Sequence, residues 1–144
     1  MKKGRCYMKE RINDKIKQIS KFLEELYQIA PTILEDYLED FTKRAACERY
    51  FEKIIEGIID LAFLVIKYKK LKTPEDEESS FIILKENHII NELLCDDLRR
   101  AKGMRNILAH QYGEIDDEKI FNAINENLEK DIKEFINSIE LILK

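Results

Sequence analysis

Apolar residues recur at helical spacing along almost the whole of this chain. Ile12, Ile16, Ile19, Leu23, Leu26 and Ala30 step by four, three, four, three and four. That spacing puts them on one stripe of a helix about five turns long. Pro31 ends it, because proline lacks the amide donor and restricts its neighbour. A second helical region is predicted from Thr32 to Lys70, bent near Asp40. Phe51, Ile54, Ile55, Ile58, Ile59, Ala62, Val65 and Ile66 form its core face, and Leu61, Phe63 and Leu64 spread the apolar surface beyond one stripe. A helix this apolar is either central or shared with another subunit. Gly57 in its middle costs about 1 kcal/mol of helix stability, and close helix packing is the expected reason for it.

Residues 70 to 80, KLKTPEDEESS, are the clear loop, marked by Thr73-Pro74 and an acidic run. Glu75 to Glu78 reads as solvated loop, or as a segment that meets a basic patch on a partner. Ser79 or Ser80 is the expected cap of a short helix through Leu84. Asn91 is the expected cap of the next helix, which reaches Tyr112, with Gly113 in the left-handed position after it. Asp116 caps the last helix, whose stripe is Phe121, Ile124, Leu128, Ile132, Phe135, Ile139 and Ile142. No segment alternates like a strand, and there is no internal repeat. The fold class is therefore all-α, an up-and-down bundle of four or five helices. Residues 1–8 read as a flexible lead-in and residues 9–144 as one helical domain.

Composition narrows the function classes. The 144 residues are 44% hydrophobic and 38% charged, which suits a folded chain rather than a disordered one. Net charge is −4 and the pI is near 5.4, so any contact with a polyanion must come from local basic patches. Cys6, Cys47 and Cys95 lie 41 and 48 residues apart. No zinc-ligand spacing or disulfide framework follows from that, and reduced, buried cysteines in a cytoplasmic protein are expected. The N-terminus has no apolar core and is not read as a signal peptide. The longest apolar run, residues 54–66, is 13 residues long and carries Glu56 and Asp60, too short and too charged to span a bilayer.

The chemistry gathers in RNILAHQYG, residues 105–113. Leu94, Leu98, Ala101, Arg105, Leu108 and Tyr112 share one stripe, which places Arg105 on the buried side. A buried guanidinium needs an anionic partner or a wet cleft. Arg99, Gly103, Asn106 and His110 run along the neighbouring face, where Asn106 and His110, four apart, can touch. The plain alternative is a helix end with ordinary polar residues, since cations offset the dipole there. Arg99, Arg100 and Lys102 abut this segment and are candidate RNA contacts. Lys67, Lys69, Lys70 and Lys72 form a second basic cluster, read first as solvated surface. Arg44 and Arg49 read as surface pairs with acids, with a place lining a cleft as the alternative, and His88 as a structural histidine in a turn.

Arg105-Asn-Ile-Leu-Ala-His110-Gln-Tyr112 resembles the R-x4-6-H motif of HEPN-domain ribonucleases. With tyrosine two residues after histidine, it is similar to the HepT toxins of the HepT/MntA toxin–antitoxin systems. Ile115-Asp116 after the motif agrees, as does Glu48-Arg49 in a helix resembling the family's second helix. The resemblance spans most of residues 10–144 and implies a HEPN-like helical domain. It further implies a type VII toxin, a metal-independent endoribonuclease in which the substrate's own 2′-hydroxyl attacks the adjacent phosphate. Catalytic roles fall on His110 for the proton, Arg105 for the phosphorane charge and Asn106 for orientation. Tyr112 is the implied site of AMPylation by a minimal nucleotidyltransferase antitoxin. No cofactor and no metal is implied; the implied partners are mRNA or tRNA, a second copy of the chain and the antitoxin, with no membrane. A non-catalytic HEPN module that binds nucleotide or a nucleotidyltransferase is the second reading, and a plain helical interaction protein the third.

The residues argue for a dimer on their own account. Transesterification benefits from both a base and an acid, and the motif supplies one histidine, which a twofold axis would double. Arg105 and His110 are also five residues apart, about 140° around an ideal helix. Either the helix ends or bends before His110, or the long arginine reaches round, or the cleft mixes residues of two subunits.

Overall fold

The computed structural model describes residues 2–110 and 115–144. Its helices are α1 (Lys2–Ile29), α2 (Leu34–Glu39), α3 (Phe41–Tyr68), α4 (Glu77–Glu86), α5 (Glu92–His110), α6 (Asp117–Asn122) and α7 (Glu129–Leu143), with a π-helical turn (Ala123–Leu128) joining the last two. The architecture is the all-α bundle expected. No described helix is long and apolar enough to cross a membrane.

Two long helices, α1 and α3, form the spine. They run antiparallel: Arg5 lies over the Tyr68 ring, Lys15 pairs with Asp60 at 3.5 Å, and Lys53 sits 4.2 Å from the Phe22 ring centre. The predicted stripe of α1 is buried from Ile12 to Leu26, and every residue of the predicted α3 core face is buried. Helix α3 is thus central within one chain: α1 packs on one side, while α4 and α5 pack elsewhere on its surface. The α1 helix begins at Lys2, so the segment expected as a lead-in carries helical turns. No proline precedes Ile12, and the Arg5–Tyr68 contact gives those turns something to pack on.

Several boundaries differ from expectation for identifiable reasons. The predicted bend near Asp40 is a break. Asp40 leaves helical geometry (φ −101°, ψ 90°) and its carboxylate accepts the Lys43 amide at 3.0 Å, capping α3. Helix α4 starts earlier than a serine cap would allow. Asp76 caps it by accepting the Ser79 amide at 2.7 Å, while Ser79 Oγ accepts the Asp76 amide at 3.0 Å. This reciprocal pair outcompetes a lone serine because it satisfies two end amides. Asn91 caps α5 as expected, through the Leu94 amide at 2.8 Å, and Asp116 caps α6 through the Lys119 amide at 3.2 Å. His88 is structural: it sits at φ 61° after α4, with its amide on the Lys85 carbonyl and that of Ile89 on Leu84, the bond pair that closes many helix ends. Gly113 and the end of the predicted fifth helix, including Tyr112, lie outside the described residues.

The C-terminal stripe is buried through Ile139, with Ile142 partly so. Its two successive steps of four, at Ile124, Leu128 and Ile132, coincide with the π turn. Side chains compete for carbonyls there. Tyr27 Oη donates to the Ile124 carbonyl at 2.5 Å, and Asn125 Nδ2 donates to the Phe121 carbonyl at 3.0 Å and to that of Pro31 at 3.3 Å. Such competition loosens the local ladder. Cys47 and Cys95 are buried as expected, whereas Cys6 is exposed on the first turns of α1. Burial pushes the Cys47 thiol up to about 11.

Gly57 sits where α1 and α3 meet. A Cβ there would lie 2.8 Å from Ile19 Cγ1, and Ile19 is fully buried. At Gly103 an added Cβ meets nothing within 4 Å. Thermal denaturation followed by circular dichroism should separate the two. Gly57→Ala is expected to destabilise by about 1–3 kcal/mol, since overpacking outweighs the better helix propensity. Gly103→Ala should gain up to about 1 kcal/mol. Equal melting temperatures for the two variants would refute the close approach.

Candidate functional site on helix α5

Helix α5 is clamped between α4, α3 and α7. Its inner stripe is as predicted: Leu94, Leu98 and Leu108 are buried, and Ala101 packs against the core. Arg105 follows that stripe inward, with a side chain only 11% exposed. Its Nη2 donates to Glu77 Oε1 of α4 at 2.5 Å, while its Nε is sealed with no hydrogen-bond partner among the described residues. A guanidinium at this depth requires a countercharge, and Glu77 supplies it.

No hydrogen bond joins Asn106 to His110 among the described residues. Arg99 and Asn106 are half-buried, and His110 is exposed at the end of the helix. Because α5 stays helical through His110, an end before that residue does not account for the wide angle to Arg105. Tyr112 lies outside the described residues.

The basic residues beside the motif are already engaged. Arg99 donates to Glu78 at 2.6 Å through Nη2 and at 2.8 Å through Nε, and Arg100 pairs with Asp97. Lys102 has no ion pair among the described residues. The acidic run therefore corrects the reading of a solvated loop: Glu77 and Glu78 form the first turn of α4 and face α5 of the same chain. Their role was open to sequence reasoning in one respect only, since Arg105 on an inner stripe demanded some anion. Which anion could not be read, because Glu77 is 28 residues away in a run that looks like loop. Lys67, Lys69, Lys70 and Lys72 are exposed, as expected of solvated surface. Arg44 pairs with Asp117 at 3.5 Å and Arg49 with Glu52 at 3.2 Å, also as expected. Glu48 lies one turn along α3 from Arg44, its carboxyl raised by burial and by Asp117, and partly relieved by Arg44.

Sequence reasoning also missed a second acidic pair. A cavity of about 240 Å³ opens between α3, α5 and the C-terminal helices, over a floor that includes Phe51, Ile55 and Met104. Asp131 lines it and is 7% exposed. Burial, reinforced by the nearby Asp97 carboxylate, holds the Asp131 carboxyl up to about 6, against an ordinary 3.8. No described cation forms an ion pair with it. The cost of the charge follows from linkage. The unfolded chain gives up this proton near its ordinary value, whereas the folded chain keeps it until about 6. Folded protein thus binds more protons between those values, and stability falls as pH rises through that window. Asp131→Asn is therefore expected to raise the melting temperature by a few degrees near pH 7.5, about 1 kcal/mol after solvent screening, and to change little near pH 4. A gain of equal size at both pH values would show that the carboxylate charge is not the cause.

With these features in place, the comparisons with known proteins are specific. The fold is that of a HEPN toxin. A tri-AMPylated Shewanella oneidensis HEPN toxin, solved in complex with MNT antitoxin, superimposes with a TM-score of 0.83 at 27% identity, over 90% of this chain and 96% of that one. The family model described as ribonuclease HepT-like matches residues 12–139, and the chain belongs to that family. It is similar to the mRNA nuclease HepT of Shewanella oneidensis, at 27% identity over 92% of this chain and 98% of that protein. The tRNA nuclease HepT of Aphanizomenon flos-aquae is 27% identical over 79% of this chain and 78% of that one.

Proposed function

We propose that this protein is the toxin of a HepT/MntA toxin–antitoxin pair and a metal-independent endoribonuclease. The observation that carries the proposal is the depth of Arg105: a guanidinium turned into the core of α5, five residues before an exposed histidine, in a chain of the HepT-like family. Arginine offers a planar fork of donors to phosphate oxygens, and histidine is the side chain that titrates nearest neutrality. In the reaction, the 2′-hydroxyl of RNA loses its proton and attacks the adjacent phosphorus. The bond from phosphorus to the 5′-oxygen breaks, the 5′-oxygen takes a proton, and a 2′,3′-cyclic phosphate remains. His110 moves the proton, Arg105 holds the charge that builds on the phosphoryl oxygens, and Asn106 orients its neighbours. Arg99, Arg100 and Lys102 guide the backbone.

One chain supplies one histidine at this site, and Arg105 is turned toward α4 while His110 stands exposed at the helix end. A homodimer in which two α5 helices share the cleft supplies both the base and the acid. The relatives named for mRNA and tRNA cleavage leave both as candidate targets. Tyr112 is the proposed site of AMPylation by a minimal nucleotidyltransferase antitoxin, in keeping with the tri-AMPylated neighbour. A bulky anion there would block RNA and compete for Arg105.

The test uses purified protein, free of antitoxin, with total cellular RNA in EDTA. Wild type should leave cyclic phosphate ends, and His110→Ala and Arg105→Ala should each lower the rate by roughly 10²–10⁴-fold. Intact mass would first establish whether Tyr112 carries AMP. An unmodified, folded wild type that cuts nothing would sink the enzyme and leave the non-catalytic module that binds a nucleotidyltransferase.

A further inference from the structure

We infer that Glu77 is a positioning residue for the cleavage reaction, acting through Arg105; the inference rests on the phosphate role proposed for that arginine. The argument begins with what each guanidinium nitrogen can still do. Nε is sealed in the core, and Nη2 is taken by Glu77 Oε1 at 2.5 Å. Nη1 bonds no described residue and is not among the sealed atoms, so it is the nitrogen left for an incoming phosphate oxygen. Without Glu77, the end of the side chain is free to turn about its last bonds. Either terminal nitrogen then points outward, and the charge is no longer held at one place.

Glu77 is itself fixed from several directions. It is the first residue of α4, directly after the Asp76 cap, and the Asp76–Ser79 pair sets its backbone. Ser80 Oγ, fully buried, donates to the Glu77 carbonyl at 2.6 Å. The neighbouring Glu78 holds Arg99 at 2.6 Å, which locks the same turn against α5 a second time. The Glu77 side chain is 44% exposed and that of Arg105 is 11% exposed. A half-exposed carboxylate therefore holds one terminal nitrogen, Nη2, of a mostly buried arginine. Removing Glu77 also leaves that guanidinium without its countercharge, so a loss of stability alone does not reveal the role; a change in kcat of the folded protein does. The carboxylate also lowers the net charge that a phosphate meets. For a positioning residue that cost falls on binding and transition state alike, and the gain appears in the chemical step.

The experiment compares wild type, Glu77→Ala, Glu77→Gln, Glu77→Asp and His110→Ala on a short RNA in EDTA, with kcat and KM measured separately and melting temperatures recorded. Glu77→Ala is expected to lower kcat by roughly 10–100-fold, the order expected when a catalytic group is misplaced by about 1 Å, with KM changed less than about threefold. The isosteric Glu77→Gln, which keeps an acceptor but loses the charge, should fall between Ala and wild type, and Glu77→Asp should recover part of the rate. A structural role would instead lower the melting temperature and leave kcat of the folded protein unchanged. Should Glu77→Ala fail to fold, Glu77→Gln carries the same test. Full or raised kcat in the Ala and Gln variants, beside a silent His110→Ala, overturns the role of Glu77 while leaving the ribonuclease intact. His110→Ala cutting like wild type overturns the ribonuclease reading, and the role of Glu77 with it.

Discussion

The close approach of α1 and α3 is the constraint on which the rest depends. Two helices of 28 residues each can bury a shared stripe only where their backbones come near enough for side chains to interlock. Gly57 provides that place, and Ile19 fills it. Once α3 is held there, the rest of its apolar surface must be covered. Helices α4 and α5 cover it, and α7 closes over α5. The inward course of α5 then carries Arg105 into the protein, and the arginine in turn calls for an acid. The site is in this sense a by-product of how the spine is packed.

The spine was legible because helical periodicity is a local property. The stripes of α1, α3 and the C-terminal helices could be read from steps of three and four, and the caps at Asn91 and Asp116 from a polar residue ahead of an apolar run. What escaped reading depends on distant partners. The π turn answers to Tyr27, 97 residues earlier in the chain. The break at Asp40 and the early start of α4 turn on which of several adjacent polar side chains reaches an end amide first. At the site, the motif and its stripe were legible. Glu77, Glu78 and the Asp97–Asp131 pair were not, because charges read along a chain say nothing of which charges face each other across a bundle.

Charge is handled differently on the two faces of α5. Toward α4, arginines and glutamates are matched one to one at short range. Toward α7, two carboxylates meet without a full countercharge, and one of them is forced to hold its proton more tightly. The first arrangement fixes geometry by setting opposite charges against each other. The second stores an unfavourable term beside a cavity, and the stability of the remaining core carries it.

The pairing of Arg99, Arg100 and Arg105 with carboxylates has a consequence for ionic strength. On an open basic surface, a bound polyanion displaces mobile counterions, and affinity drops steeply as salt is added. At Arg99 and Arg100 an arriving phosphate would displace tethered carboxylates, which stay on the protein and release nothing to the solution. The entropy that drives indiscriminate adhesion to nucleic acid is thereby reduced. A chain of net charge −4 with these three arginines occupied in this way has little reason to cling to bulk polyanion.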